Sequence, residues 1–356
     1  MSKMTLPIKI KIAKFTIGRG FPPFIVAEAG INHNGQIEKA LQMISVAKKA
    51  GVNAIKFQTF KAEDFVSDPN QMITYRTQDK EITESMLEMF RRCEFSRDEW
   101  FKIKKKCDEE SILFLSTPQN RSDLDLLLEL DITAIKVGSD DFTNLPLLKD
   151  YSSTGLPLIV SCGMADLGEI FESLNTIGSL EGYPTILLLT TSQYPTPPND
   201  VHLNRLVTLS KALPMIPLGF SDHTQGPLAS SLAVALGACL LEKHFTLDHN
   251  LHGPDHWFAE DPHGLKIWTD SIRKSHIMLG NSIVRPTSSE EEVKLIARRS
   301  IVAISDIMTG EQLDNNNIGL KRPGTGLPAK MLPKLVGLKA TRKIRKGSLI
   351  KFGDFE

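Results

Sequence analysis

The sequence predicts a (β/α)8 barrel followed by a small β-rich module. Three observations predict it. A short apolar, β-rich run followed by a longer amphipathic run recurs eight times along the chain. No GxGxxG follows the first of these runs, as an open dinucleotide-binding sheet would have. Each apolar run also ends on polar residues, which is how the strands of such a barrel end at an active-site mouth. The alternation demands parallel pairing, because parallel strands need a crossover. Eight crossovers close a barrel, and an open doubly wound sheet is the alternative for the same rhythm.

Taken in order, "IKIKIAKFTIGRG" (8–20) alternates apolar and polar residues and ends in a glycine turn, which reads as a hairpin. The barrel strands follow as "FIVAEA" (24–29), "NAIKFQ" (53–58), "ILFLS" (112–116) and "TAIKV" (133–137). Then come "PLIVS" (157–161), "TILLLT" (185–190), "IPLGFS" (216–221) and "CLLEKHF" (239–245). Between them, 36–50, 96–110 and 226–238 carry apolar residues at three- and four-residue spacing and read as helices. The barrel domain is assigned to 1–281. Residues 282–297 form a linker with a short helix, and "SSEEE" within it reads as a solvated helix start. Residues 298–356 have short strands and Gly/Asn/Pro turns but no long helix, which makes a compact second module.

Lys+Arg and Asp+Glu balance at 42 each, so no bulk charge draws nucleic acid or a membrane surface, and basic sites are local and suited to small anions. Cys93, Cys107, Cys162 and Cys239 form no CxxC pair, as expected of reduced thiols in a cytoplasmic protein. The N-terminal residues lack the continuous apolar core of a signal peptide, and no run is long enough to span a membrane.

The strand ends supply the chemistry. They present Glu28, Lys56, Gln58, Ser116, Thr117, Lys136, Ser139, Ser161, Thr191, Ser192, Tyr194, His223 and His244 to one mouth. Two histidines ending adjacent strands suit a catalytic divalent ion with open positions. Lys56 and Lys136, each inside an apolar strand, suit a small anion, with a Schiff base as the alternative for one of them. Asp255, in "GPDH" after the last strand, either hangs over the mouth or caps a turn. Glu28 is a base, a substrate clamp or a lysine's partner. In "NHNG", His33 is read as ordering its loop, with a third metal ligand as the alternative.

These residues stand in "FIVAEAGINHNG", "AIKFQTF", "STP", "IKVGS", "YPTP", "FSDHT", "LEKHFTLD" and "GPDH", and a C-terminal "ARRSIVA…KRPGTGLP" follows. In this order, over nearly the whole chain, they resemble the bacterial sialic acid (N-acetylneuraminate) synthase family with its C-terminal SAF, or antifreeze-like, domain. The resemblance implies Mn2+- or Mg2+-dependent condensation of phosphoenolpyruvate with an N-acetylated amino sugar, by default N-acetylmannosamine. The products are a nine-carbon 2-keto acid and phosphate. It implies His223 and His244 as metal ligands and Glu28, Asp141 and Lys136 as the catalytic set. Lys56, Lys136, Thr117, Ser139 and Ser161 fall to phosphoenolpyruvate. Gln58, Ser192, Tyr194 and Asp255 fall to substrate and sugar. It further implies a domain-swapped homodimer in which Arg322 of "KRPG" reaches the partner's sugar.

Some positions depart from the family pattern. Asp140 and Asp141 follow "VGS" where Gly-Glu is usual, so the family's catalytic Glu falls on Asp141, one methylene shorter. Leu189, Thr190 and Thr191 replace His-Cys-Thr, and Cys162 replaces Thr. These changes keep open a synthase of N,N'-diacetyllegionaminate or pseudaminate, acting on a diacetamido-trideoxyhexose, and a non-catalytic sugar- or metal-binding relative. An ice-binding role for the C-terminal module is disfavoured by its KRPG loop, its basic character and its fusion to a complete barrel.

Overall fold

Eight parallel strands form the central sheet of the larger of two units. The structure, a computed structural model, describes residues 9–78 and 80–356. The start of the expected hairpin at Ile8 and the segment read against a signal peptide before it lie outside the described residues. Strands β1 (Lys9–Ile12) and β2 (Phe15–Gly18) pair antiparallel as that hairpin. The barrel strands are β3 (Phe24–Gly30) and β4 (Ala54–Thr59), then, after an inserted hairpin of β5 (Met72–Arg76) and β6 (Glu81–Ser85), β7 (Leu113–Pro118) and β8 (Ile135–Val137). They continue with β9 (Leu158–Ser161), β10 (Thr185–Leu189), β11 (Leu218–Asp222) and β12 (Leu240–His244).

The hydrogen-bonded order is β7-β4-β3-β12-β11-β10-β9-β8, all parallel, and β7 lies beside β8, so the sheet closes almost completely. Apolar residues on both faces explain why these strands read as continuous apolar runs. One layer, including Val26, Leu115, Ile159 and Leu188, fills the barrel, and a second, including Ile25, Phe57, Val160 and Leu187, packs under the helices. All eight sequence-predicted strands are present, with ends moved by one or two residues.

Local chemistry sets the helix ends. Ser96 and Glu99 make a capping box that starts helix Arg97–Glu109, and Gly51, at φ 86°, ends helix Ile37–Ala50 in the left-handed conformation that glycine adopts without strain. The β5–β6 hairpin had no signal in the sequence reading. Its residues are largely polar and exposed on one face, while Ile73 and Tyr75 pack against a small cluster of Ile31, Phe60, Met89 and Cys93.

The chain divides into two compact units, the first ending at Gly280 and the second running from Asn281 to Glu356. In the second, helix Ser288–Ala297 opens on a Thr287–Glu290 capping box and buries no residue, in keeping with a solvated start. β13 (Ser300–Ala303) and β14 (Ile318–Lys321) pair antiparallel over a core that includes Ile301, Ile307, Leu313 and Ile350.

Candidate active site

A cavity of about 390 Å³ opens at the C-terminal ends of the barrel strands. Glu28, Lys56, Gln58, Thr117, Lys136, Ser139, Ser161, Ser192, Tyr194, His223, His244 and Asp255 all line it. Four expected site residues do not: Ser116, Asp141, Thr191 and Arg322. Asp141 lies outside the lining and accepts a hydrogen bond from Asn144 Nδ2 at 3.0 Å, while its neighbour Asp140 lines the cavity. Arg322 belongs to the second unit, where its Nε donates to the Ala297 carbonyl at 2.9 Å.

The floor is a buried charge cluster. Lys56 Nζ stands 3.3 Å from both Glu28 Oε1 and Glu242 Oε1, and 3.5 Å from Thr117 Oγ1. Lys136 Nζ donates to Ser161 Oγ at 2.8 Å and to the Val137 carbonyl at 2.9 Å, with Glu242 at 3.7 Å. Burial pushes the Lys136 ammonium down to about 8, opposed by Glu242. Lys56 feels the same burial, but Glu242 and Glu28 outweigh it and raise its pKa. Burial raises Glu28, with Lys56 pulling the other way. For Glu242 burial opposes the charge, but Lys136 and Lys56 win and hold it down to about 2. The cluster is therefore a buried set of two ammonium groups and two carboxylates, with the cations already desolvated and their counter-charges built in.

Above the floor, Ser139 Oγ accepts from the Gly163 amide at 3.0 Å, which leaves its own O–H free to donate. A Cβ on Gly163 would stand 2.4 Å from Ser192 Oγ and 2.7 Å from Ser139 Oγ, so glycine keeps room for both hydroxyls.

His223 and His244 face each other with ring centroids 5.6 Å apart, and the Tyr194 ring lies 4.1 Å from that of His223. His223 Nδ1 lies 2.7 Å from the Thr191 carbonyl, which fixes the tautomer with its proton on Nδ1 and the lone pair on Nε2. Burial and the neighbouring His244 hold it down to about 3, hence neutral. His244 Nδ1 sits 3.3 Å from Asp255 Oδ2 without hydrogen-bond geometry. Burial lowers its pKa, but Asp255 outweighs burial and raises it.

Among the described residues, no three His, Cys, Asp or Glu side chains gather closely enough to hold an ion alone. Two imidazoles beside the buried, partnerless Glu28 Oε2 fit an ion whose remaining positions belong to water and substrate. His33 is not in the lining. Its ring packs 4.3 Å from that of Phe95, and its Nδ1 accepts from the Gly35 amide at 3.0 Å. That orders the loop and sets aside the third-ligand alternative.

Glu242 and Ser221 are lining residues that escaped the sequence reading, while Thr190 and Asp140, noted there as departures from the family pattern, line the cavity as well. Glu242 and Ser221 each stand two positions before a histidine. The period-2 alternation of a strand would have placed them on the same face. Conversely, Ser116 turns away to bond Thr59 Oγ1 and the Phe57 carbonyl, and the Thr191 hydroxyl donates to the Asp200 carbonyl.

Residues 43–284 match the model of the NeuB family, and residues 298–356 match that of the SAF domain. An uncharacterized protein of Methanocaldococcus jannaschii is 40% identical over 346 residues, covering 97% of this chain and 98% of its own. An N,N'-diacetyllegionaminic acid synthase of Campylobacter jejuni is 38% identical over 332 residues, covering 92% and 98%. The crystal structure of N-acetylneuraminic acid (sialic acid) synthetase from Leptospira borgpetersenii, 31% identical, superposes with a TM-score of 0.73 over 82% of this chain and 96% of that one. With a family match across most of the barrel and relatives that cover almost the whole chain, the protein belongs to the NeuB family of phosphoenolpyruvate-condensing synthases and carries a SAF domain at its C-terminal end.

Proposed function

We propose that the enzyme condenses phosphoenolpyruvate with a 2,4-diacetamido-2,4,6-trideoxyhexose to give a legionaminate-type nine-carbon 2-keto acid and phosphate. The observation that carries the choice of acceptor is the divided lining of the cavity. Beside the polar strand ends stand Ile31, Phe65, Ile73, Met89 and Phe90. The deoxy methyl and the two acetamido methyls of such a sugar match that apolar side. The 6-hydroxyl of N-acetylmannosamine would lose its water there, a cost of about 1–3 kcal/mol if it stays unpaired. The identity to a legionaminic acid synthase supports the same reading.

Lys56 and Lys136 clamp the carboxylate and phosphate of phosphoenolpyruvate, and the hydroxyls of Thr117, Ser139 and Ser161 donate to the same oxygens. Gln58, Ser192, Tyr194 and Asp255 orient the sugar aldehyde. His223 and His244 would hold a divalent ion, Mn2+ or Mg2+, which supplies Lewis-acid polarisation of the aldehyde oxygen when bound. C3 of phosphoenolpyruvate attacks the aldehyde carbon, and positive character grows at C2, where Glu242 and Glu28 offset it. Water adds at C2. One of its protons passes by way of Glu28 Oε2 to the new alkoxide, and the other leaves with phosphate as the C2–O bond breaks. Arg322 completes the sugar site of a second copy of the chain. Among the described residues no helix is long and apolar enough to cross a membrane. The cytoplasm is the proposed place of the reaction, in line with the biosynthetic role of the relatives.

The test is phosphate release from phosphoenolpyruvate with Mn2+, comparing the diacetamido sugar with N-acetylmannosamine. Expected is a kcat/KM at least tenfold higher for the diacetamido sugar. A preference for N-acetylmannosamine would overturn the acceptor. Mn2+ binding with no release from either sugar would replace synthase by a binding protein.

A further inference from the structure

Behind the two histidines lies a charged pair that the reaction does not use. Residues of β11 and β12 alternate in and out of the barrel. Ser221 and Glu242 line the cavity and share a hydrogen bond of 3.1 Å. One residue on, Asp222 and Lys243 are direct partners in the ladder, with Nζ 3.1 Å from Oδ2 and side chains 0% and 3% exposed. Neither lines the cavity. One residue further, His223 and His244 line it again.

The layer between these strands and the helices is largely apolar, so a charged pair there is costly unless every partner is satisfied. Here it is satisfied, and by particular segments. Asp222 Oδ1 accepts from the amide and hydroxyl of Thr224 at 2.9 and 2.8 Å. Its Oδ2 accepts from Ser230 Oγ at 2.6 Å, and Ser230 Oγ accepts in turn from Trp268 Nε1 at 2.8 Å. Lys243 donates to the Thr224 carbonyl and lies 3.9 Å from Glu260 Oε1. Glu260 Oε1 accepts from the Gly226 amide at 2.8 Å, and its own amide donates to the His244 carbonyl at 3.0 Å. The pair thus fastens the chain just past His223 and the far end of the loop that leaves His244 and carries Asp255.

We propose that Asp222 and Lys243 are positioning residues: a buried ion pair on the outer face of the barrel that fixes the register and spacing of the two imidazoles on its inner face. A pair of this kind adds little net stability over apolar side chains of the same size, and what it adds is a unique arrangement. The part of the proposal that concerns a metal rests on the reading of His223 and His244 as ligands, so the test has one arm that does not.

The variant is D222N/K243M, which removes both charges and keeps an acceptor for Thr224. Three quantities are read: the melting temperature, hydrogen exchange of residues 223–226 and 245–260 in metal-free protein, and Mn2+ affinity without substrates, with H223A as control. Expected are a melting temperature close to that of the parent, exchange in the two segments at least tenfold faster, and Mn2+ affinity weaker by about 10–100-fold. Unchanged exchange together with unchanged Mn2+ affinity would overturn the proposal. If the parent protein itself fails to bind Mn2+, the metal reading falls and exchange alone decides. If the double variant does not fold, S230A replaces it, since it removes one donor to Asp222. Faster exchange confined to the same segments then supports the proposal, and unchanged exchange sinks it.

Discussion

Lys56 and Glu242 stand 3.3 Å apart on the barrel floor, and both are buried. The carboxylate keeps two desolvated ammonium groups, those of Lys56 and Lys136, from facing each other alone. Removing one partner from a buried pair costs about 3–5 kcal/mol. Glu242→Gln is expected to lose stability of that order in urea unfolding, and to regain much of it when phosphoenolpyruvate supplies the missing negative charge. A variant as stable as the parent without ligand would refute the role.

Lys136 gives a pH dependence. Burial lowers its pKa from 10.5 to about 8 in the folded protein. Below pH 8 both states carry the proton, and the buried charge weakens folding. Between about 8 and 10.5 only the unfolded state holds it, so this group's contribution to stability rises with pH across that window. Substrate binding goes the other way, because the neutral amine no longer attracts an anion. The KM for phosphoenolpyruvate is expected to rise through pH 8 with kcat less affected, and Lys136→Met is expected to abolish that limb. A flat KM from pH 7 to 9 would remove Lys136 from the anion clamp.

Gly163 lies against two hydroxyls of the cavity lining, those of Ser139 and Ser192. An added methyl would meet Ser192 Oγ at 2.4 Å and Ser139 Oγ at 2.7 Å. Gly163→Ala is expected to raise the KM for phosphoenolpyruvate at least tenfold while the melting temperature moves by only a few degrees. Equal kinetics would mean that the hydroxyls can turn aside and do not bind the substrate.

Arg322 is exposed in the second unit. If a second copy of the chain uses it to bind sugar, Arg322→Ala should keep Mn2+ and phosphoenolpyruvate binding, measured by calorimetry, yet lose sugar affinity. Mixing it with the catalytically inactive H223A chain should restore some turnover, as each inactive copy supplies what the other lacks. No complementation from a confirmed mixed dimer would place Arg322 outside the partner's site.

The barrel was legible because period-2 strands, amphipathic helices and glycine caps are local signals. So were the inward polar groups at strand ends, from Glu28 to His244. What escaped was non-local. Asp140 rather than Asp141 reaches the cavity because the backbone after Gly138 turns before helix Leu145–Ser152, and Asp141 is taken up by Asn144. The β5–β6 hairpin has one weakly apolar face, so its strands carry no strong alternation, and its order comes from the small cluster of Ile31, Phe60, Met89 and Cys93 that it packs against. Glu242 was hidden by its neighbours, Leu241 and Lys243: strand alternation puts it on the face of His244, but its role as a buried counter-ion comes from the convergence of β4, β8 and β12.

β3 and β12 are neighbours in the sheet, with Glu28 paired to His244 in the ladder, and Asn32 Nδ2 donates to the Phe245 carbonyl at 2.9 Å. The first and last barrel strands therefore meet across more than two hundred residues of chain. During synthesis His223, just past β11, emerges before His244 of β12, and neither has its full surroundings until the strand that closes the barrel has left the ribosome. A nascent chain holds none of this pocket in finished form. Closure is a late, long-range event, slow in the way that non-local pairing is slow. Until it occurs, the chain cannot trap phosphoenolpyruvate in a half-built site, and truncation anywhere before β12 should abolish ligand binding outright instead of weakening it by degrees.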